Sequence, residues 1–194
     1  MSKTSQARKT PSRRYGRASP LRRWPWGRIG VGLAVLAIVG LVVVIAVLRA
    51  GQGADIPGVQ TYANLTAFHT TDTVRYDPTP PVGGDHSAEP LNCGIYDQPV
   101  PSENAVHSLE HGVVWVTYQP TLPSSAVEEL RGLARGHSHV ILSPYADLPA
   151  PVVASAWGGQ LLLTGTDDPR LPRFIAKYEH GLQTPERGPF AVGG

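Results

Sequence analysis

The chain has 194 residues, a formal net charge of +2, 41% apolar and 16% charged side chains, and a single cysteine. One cysteine excludes an internal disulfide framework. The small total charge hides an asymmetry: residues 1–28 carry nine Lys and Arg and no acid, whereas residues 51–194 hold seven basic and all fifteen acidic residues, a net of −8. Such an acidic segment is a poor partner for nucleic acid and a reasonable one for cations.

Residues 1–25 are rich in Ser, Lys, Arg and Pro and hold too little apolar surface to offset the entropy of ordering, so a disordered basic arm is predicted there. From Ile29 to Leu48 no side chain is charged or polar. At helical rise those twenty residues reach about 30 Å, the thickness of a bilayer's hydrocarbon core. A single transmembrane helix is therefore expected over residues 26–49, with the basic arm in the cytoplasm, Trp24 and Trp26 at the interface, and everything after it exported. A cleaved signal peptide is the competing reading, but its apolar stretch is shorter. Residues 50–57 form a tether, 58–188 one extracytoplasmic domain and 189–194 a loose tail.

Within that domain, the six prolines of residues 76–101 and the pair Gly83-Gly84 forbid long helices or central strands. Ser102 as N-cap, Glu103 in the first turn and Gly112 past the end delimit a short helix, with Val106 and Leu109 facing inward. Val113 to Tyr118 is apolar on both alternating faces and predicts a strand buried on both sides. A helix capped by Ser124 or Ser125 runs to about Arg135 and stops at Gly136. Strands follow at 139–142, 152–157 and 161–164, the last two joined at Gly158-Gly159. Asp167 or Asp168, with Pro169, opens a final helix that turns Leu171, Phe174, Ile175 and Tyr178 to the core and closes at Gly181. The order β, α, β, β, β, α predicts an α+β domain with two helices packed on a mixed sheet. A thioredoxin-like arrangement is the alternative, without the Cys-x-x-Cys that would give it redox chemistry.

The chemistry concentrates in His107-Ser108-Leu109-Glu110-His111, two imidazoles and a carboxylate within five residues, with His86 and Cys93 just upstream. On a helix, His107 and His111 share a face at i and i+4, and Glu110 lies beside His111. Three functions compete. His86, Cys93, His107, Glu110 and His111 form a binding site for a transition metal, for which nitrogen and thiolate donors suit copper or zinc. The sole methionine, Met1, falls on the cytoplasmic side, so a thioether-rich copper(I) carrier is disfavoured. Alternatively the same groups build a buried polar network that pins the proline-rich loop, and the domain is an envelope interaction or scaffold module with a protein partner. A weaker third reading is the H-x-x-E-H pattern of a zinc peptidase, for which the helix is short and neither Glu128 nor Glu129 is an obvious third ligand. The pair His137 and His139 follows a helix C-terminus, where the dipole favours histidine without a metal. His69 and His180 have no neighbouring donors in sequence, and exposure is expected for both.

The series Pro80-Pro81-Val82-Gly83-Gly84-Asp85-His86, Asn92-Cys93-Gly94-Ile95-Tyr96-Asp97 and Val106-His107-Ser108-Leu109-Glu110-His111-Gly112, followed by a hydrophobic strand and Tyr118-Gln119-Pro120, resembles domain-of-unknown-function family 3105. The likeness spans roughly residues 75–190, and the His-Ser-Leu-Glu-His-Gly piece is its specific part. It implies a membrane-anchored bacterial envelope protein of a kind typical of actinobacteria, and it implies no particular reaction.

Overall fold

The structure is a computed structural model, and it describes residues 31, 33, 36–42 and 55–186. The chain divides into two compact units, 1–46 and 47–194. Of the first unit, the described residues are helical. No helix among the described residues is long and apolar enough to cross a membrane. The expected span over 26–49 lies mostly outside them, as do the basic arm and the tail.

The second unit is built on a six-stranded mixed sheet in the order β1-β6-β5-β3-β4-β2. Its strands are β1 (Val59–Thr61), β2 (Gly94–Ile95), β3 (Val114–Tyr118), β4 (Val140–Pro144), β5 (Val152–Ala156) and β6 (Gly159–Leu163). The helices are α1 (Ser102–Glu110), α2 (Ser124–Ala134) and α3 (Arg170–Tyr178). Strands β2 and β3 flank β4 and run parallel to it, while β3, β5, β6 and β1 pair antiparallel in turn.

Parallel pairing dictates where the helices go. The connections β2-α1-β3 and β3-α2-β4 are both crossovers, and they step across the sheet in opposite directions. Right-handed crossovers of opposite step put their helices on opposite faces. Accordingly Val114, Val116 and Tyr118 pack with Leu130 and Ala134 of α2 and with Leu171, Phe174 and Ile175 of α3. Trp115 and Ile141, pointing the other way, pack with Ala105, Val106 and Leu109 of α1 and with Trp157. The expectation of two helices on the sheet is thus met on one face, and α1 supplies a third layer on the other.

The second face is the more polar. Trp115 Nε1 donates to Ser143 Oγ at 2.9 Å and Thr117 Oγ1 donates to the Val153 carbonyl at 3.1 Å, all four residues being buried. Gln160 Nε2 donates to the Pro80 carbonyl at 2.8 Å, which ties the proline-rich segment across this face. Gly83 makes the close approach possible: its φ is +147°, and a Cβ there would stand 2.7 Å from Leu65 Cδ1 and 3.3 Å from the Trp157 ring. Only β2 interrupts that segment with strand, two residues at the sheet edge, where prolines on either side are tolerated.

The helix starts differ from expectation in one consistent way. Pro101, Pro123 and Pro169 occupy the N-cap positions instead of Ser102, Ser124 or Ser125, and Asp167 or Asp168, and none of the three helices has a side-chain cap bond. Proline presets φ near −65° and has no N–H to leave unsatisfied. Asp168 still serves the first turn, accepting the Arg170 N–H at 3.0 Å. At the far end of α3 the left-handed residue is His180 (φ +56°), one position before the glycine expected to take it.

Candidate functional site

Helix α1 places the site. Its last turns carry His107 and Glu110, and His111 follows as C-cap, with Gly112 (φ +90°) turning the chain into β3. His107 and His111 stand one turn apart as the i, i+4 spacing requires, their Nε2 atoms 3.0 Å apart and their rings stacked. The proline-rich segment is laid along the helix by Ser108, whose hydroxyl accepts the Leu91 N–H at 2.9 Å and donates back to the Leu91 carbonyl at 2.7 Å. That lashing brings His86 against the inner end of α1. A parallel bridge then pairs residue 69 with residue 86, through His86 N–H to the Phe68 carbonyl at 3.0 Å and Thr70 N–H to the His86 carbonyl at 2.7 Å.

The result is a cluster of His69, His86, His107 and Glu110 in which one ligand-type atom from each lies within 4.8 Å of all the others. The His86 ring lies 5.1 Å from that of His69 and 4.9 Å from that of His107. His86, His107 and Glu110 are 0%, 5% and 3% exposed, so the cluster is buried on all sides but that of His69.

The hydrogen bonds fix which nitrogen faces inward. His86 Nδ1 lies 2.7 Å from the Gly84 carbonyl and His107 Nδ1 lies 2.7 Å from the Ser87 carbonyl. A carbonyl only accepts, so both Nδ1 atoms carry hydrogen, and a neutral ring then presents a bare lone pair at Nε2. His86 Nε2 is 3.0 Å from Glu110 Oε2, yet it is buried without a hydrogen bond. Two acceptors so close require a cation between them, either a proton or a metal. At His107, burial lowers the pKa most; the Ser87 carbonyl works the other way, and the neighbouring rings of His86, His111 and His69 add to the lowering. His111 lies on the outer side of His107, with Glu186 Oε2 3.7 Å from its Nε2.

Of the residues singled out from the sequence, His86, His107 and Glu110 therefore meet in one place, and His111 adjoins it through His107. Cys93 does not join them. It lies beyond the edge of β4, lining a surface cavity of about 450 Å³ with Arg135, His137 and Ser138. Burial, followed by the charge of Glu179, pushes its thiol up to about 11. His69 was missed by sequence reasoning. It is exposed as expected, but the bridge to residue 86 supplies the partner that its position in the sequence does not reveal.

A mixed-sheet α+β domain with a buried histidine and carboxylate cluster beneath a proline-rich loop is the class that fold and site define. A family model described as a protein of unknown function (DUF3105) matches residues 68–191, and the chain belongs to that family. No curated protein and no solved structure matches the chain.

Proposed function

We propose that this domain binds a divalent transition metal, copper or zinc, through His69, His86, His107 and Glu110, and that it does so as the exported part of a single-pass membrane protein. The carrying observation is the meeting of His86 Nε2 and Glu110 Oε2, 3.0 Å apart and without a hydrogen bond, while Nδ1 of the same ring is pinned on a carbonyl. Histidines that hold metals characteristically donate their other N–H to such a carbonyl, which fixes ring and tautomer. Bonds of about 2.0–2.1 Å set two donors on one ion roughly 3.0–3.4 Å apart, so the His86 and Glu110 pair already has the spacing and small side-chain rotations close the remainder. Three imidazoles and one carboxylate suit copper(II) or zinc. Cys93 stands outside this set, so no thiolate enters it.

The competing polar-network reading draws on the same carbonyl bonds, which pin residues 84–87 to α1 whether or not a metal follows. It needs a proton in the metal's place, shared between His86 Nε2 and Glu110 Oε2 as a fully buried ion pair, which is costly to desolvate. The peptidase pattern draws less support: Glu110 Oε2 faces the buried His86 ring, where water activation on a substrate has no room. Anchoring rests on the apolar run Ile29 to Leu48 behind a wholly basic arm.

The test is elemental analysis of the full chain after gel filtration. Wild type is expected to retain a stoichiometric equivalent of copper or zinc, and His86→Ala and His107→Ala to lose it while staying folded by circular dichroism. Negligible metal in all three returns the cluster to a structural network.

A further inference from the structure

A second group of donors lies on the other side of the Gly112 turn and takes no part in the site above. Helix α3 ends at Tyr178, and Glu179 and His180 follow it out of the helix. The His180 N–H donates to the Gly112 carbonyl at 3.0 Å, and Gly112 packs so closely there that a Cβ would meet His180 Cα at 3.3 Å. With φ at +56°, His180 adopts a conformation that non-glycine side chains rarely take. The outcome is a ring contact: the imidazoles of His139 and His180 lie 3.7 Å apart, centroid to centroid.

Glu179 completes the group. Its carboxylate is oriented by three contacts, Oε1 accepting the His139 backbone N–H at 2.9 Å and, at the longer distance of 3.5 Å, the Ser138 hydroxyl, and Oε2 lying 2.6 Å from His137 Nδ1. Oε2 has a further lone pair beyond the His137 contact, so these bonds aim the group without exhausting it. Hydrogen-bonded carboxylates are the usual form of a metal-ligating acid. One ligand-type atom from each of His139, Glu179 and His180 lies within 4.8 Å of the other two. Burial pushes the Glu179 carboxyl up, but the His139 N–H and the His137 ring outweigh it and hold the acid below its usual range. Burial and the His180 ring lower His139, against the opposing charge of Glu179. Ser138 Oγ, 3.0 Å from His139 Nδ1 and 3.4 Å from His180 Nε2, lies between the rings.

We propose that His139, Glu179 and His180 form a second transition-metal site, surface-accessible and separate from the buried cluster, which takes a divalent ion such as copper(II) on two imidazoles and one carboxylate. With three donors and an exposed His180, it exchanges its ion with solvent faster than the buried four-donor site. The inference rests on residues that the first proposal does not use, and either can fail alone.

The experiment titrates the full chain with Cu²⁺ after excess metal is removed by gel filtration, and follows the copper signal by electron paramagnetic resonance. Wild type is expected to take up one further equivalent with nitrogen hyperfine structure. His139→Ala, and separately His180→Gly, which keeps the left-handed backbone without strain, are expected to weaken that equivalent at least about tenfold. The double variant His86→Ala, His107→Ala, emptied of the buried cluster, is expected to keep it. Absence of a further equivalent in wild type, or its persistence unchanged in both His139→Ala and His180→Gly, overturns the proposal.

Discussion

At the scale of single residues, the cluster is decided by where protons can sit. His86 and His107 each spend one nitrogen on a backbone carbonyl; the other nitrogen of His86 faces the Glu110 carboxylate, and that of His107 is hydrogen-bonded to His111 Nε2. Metal-free protein therefore carries a cost in acid. Burial and ring neighbours hold His107 below the ordinary imidazole value of 6.5, which the unfolded chain retains. Between the two values the unfolded chain takes up a proton that the folded one refuses, so the contribution is intact above pH 6.5 and is lost as pH falls through the window. His139, lowered by burial and by His180, acts in the same direction. The urea midpoint of the metal-free chain is expected to fall from pH 7 to pH 5, and His107→Gln to flatten that fall. A midpoint that rises in acid contradicts the assignment.

Elements carry the lesson about what a sequence shows. The helix and strand order from Ser102 onward was legible because each segment has its own periodicity and a proline or glycine boundary. The caps of α1 and α2 were placed late, since a serine beside a proline looks like the cap when the proline itself occupies that position, and that of α3 was placed early, at Asp167 or Asp168 before Pro169. His107, Glu110 and His111 were legible because one helix carries them. His69 was not, because only a loop bridge across seventeen residues brings it to His86. Cys93 was grouped with them by proximity in sequence, and the short β2 pairing carries it to the other edge of the sheet instead. The loop that makes the difference depends on Gly83. Gly83→Ala forces a side chain into Leu65 and Trp157 at a φ of +147°. It is expected to cost more than about 1 kcal/mol in urea unfolding and to weaken metal retention along with it. An unchanged midpoint counts against the packing described.

For the molecule as a whole, charge is divided along the chain. The basic arm and apolar run of the first fifty residues suit a membrane anchor, and the acidic remainder, at −8, suits a cation-binding exterior domain. Alkaline phosphatase fused after Gly194 is expected to be active in cells and the same enzyme fused before Met1 to be inactive; the reverse pattern contradicts the proposed orientation.

The buried cluster itself is tested most directly by X-ray absorption at the metal edge of the full chain, loaded with zinc and then gel-filtered. The expected spectrum has only nitrogen and oxygen neighbours near 2.0–2.1 Å, the usual range for such ligands, with the outer-shell pattern of about three imidazoles, and it disappears in His86→Ala. A sulfur shell, or no zinc to measure in the wild-type chain, would contradict the account.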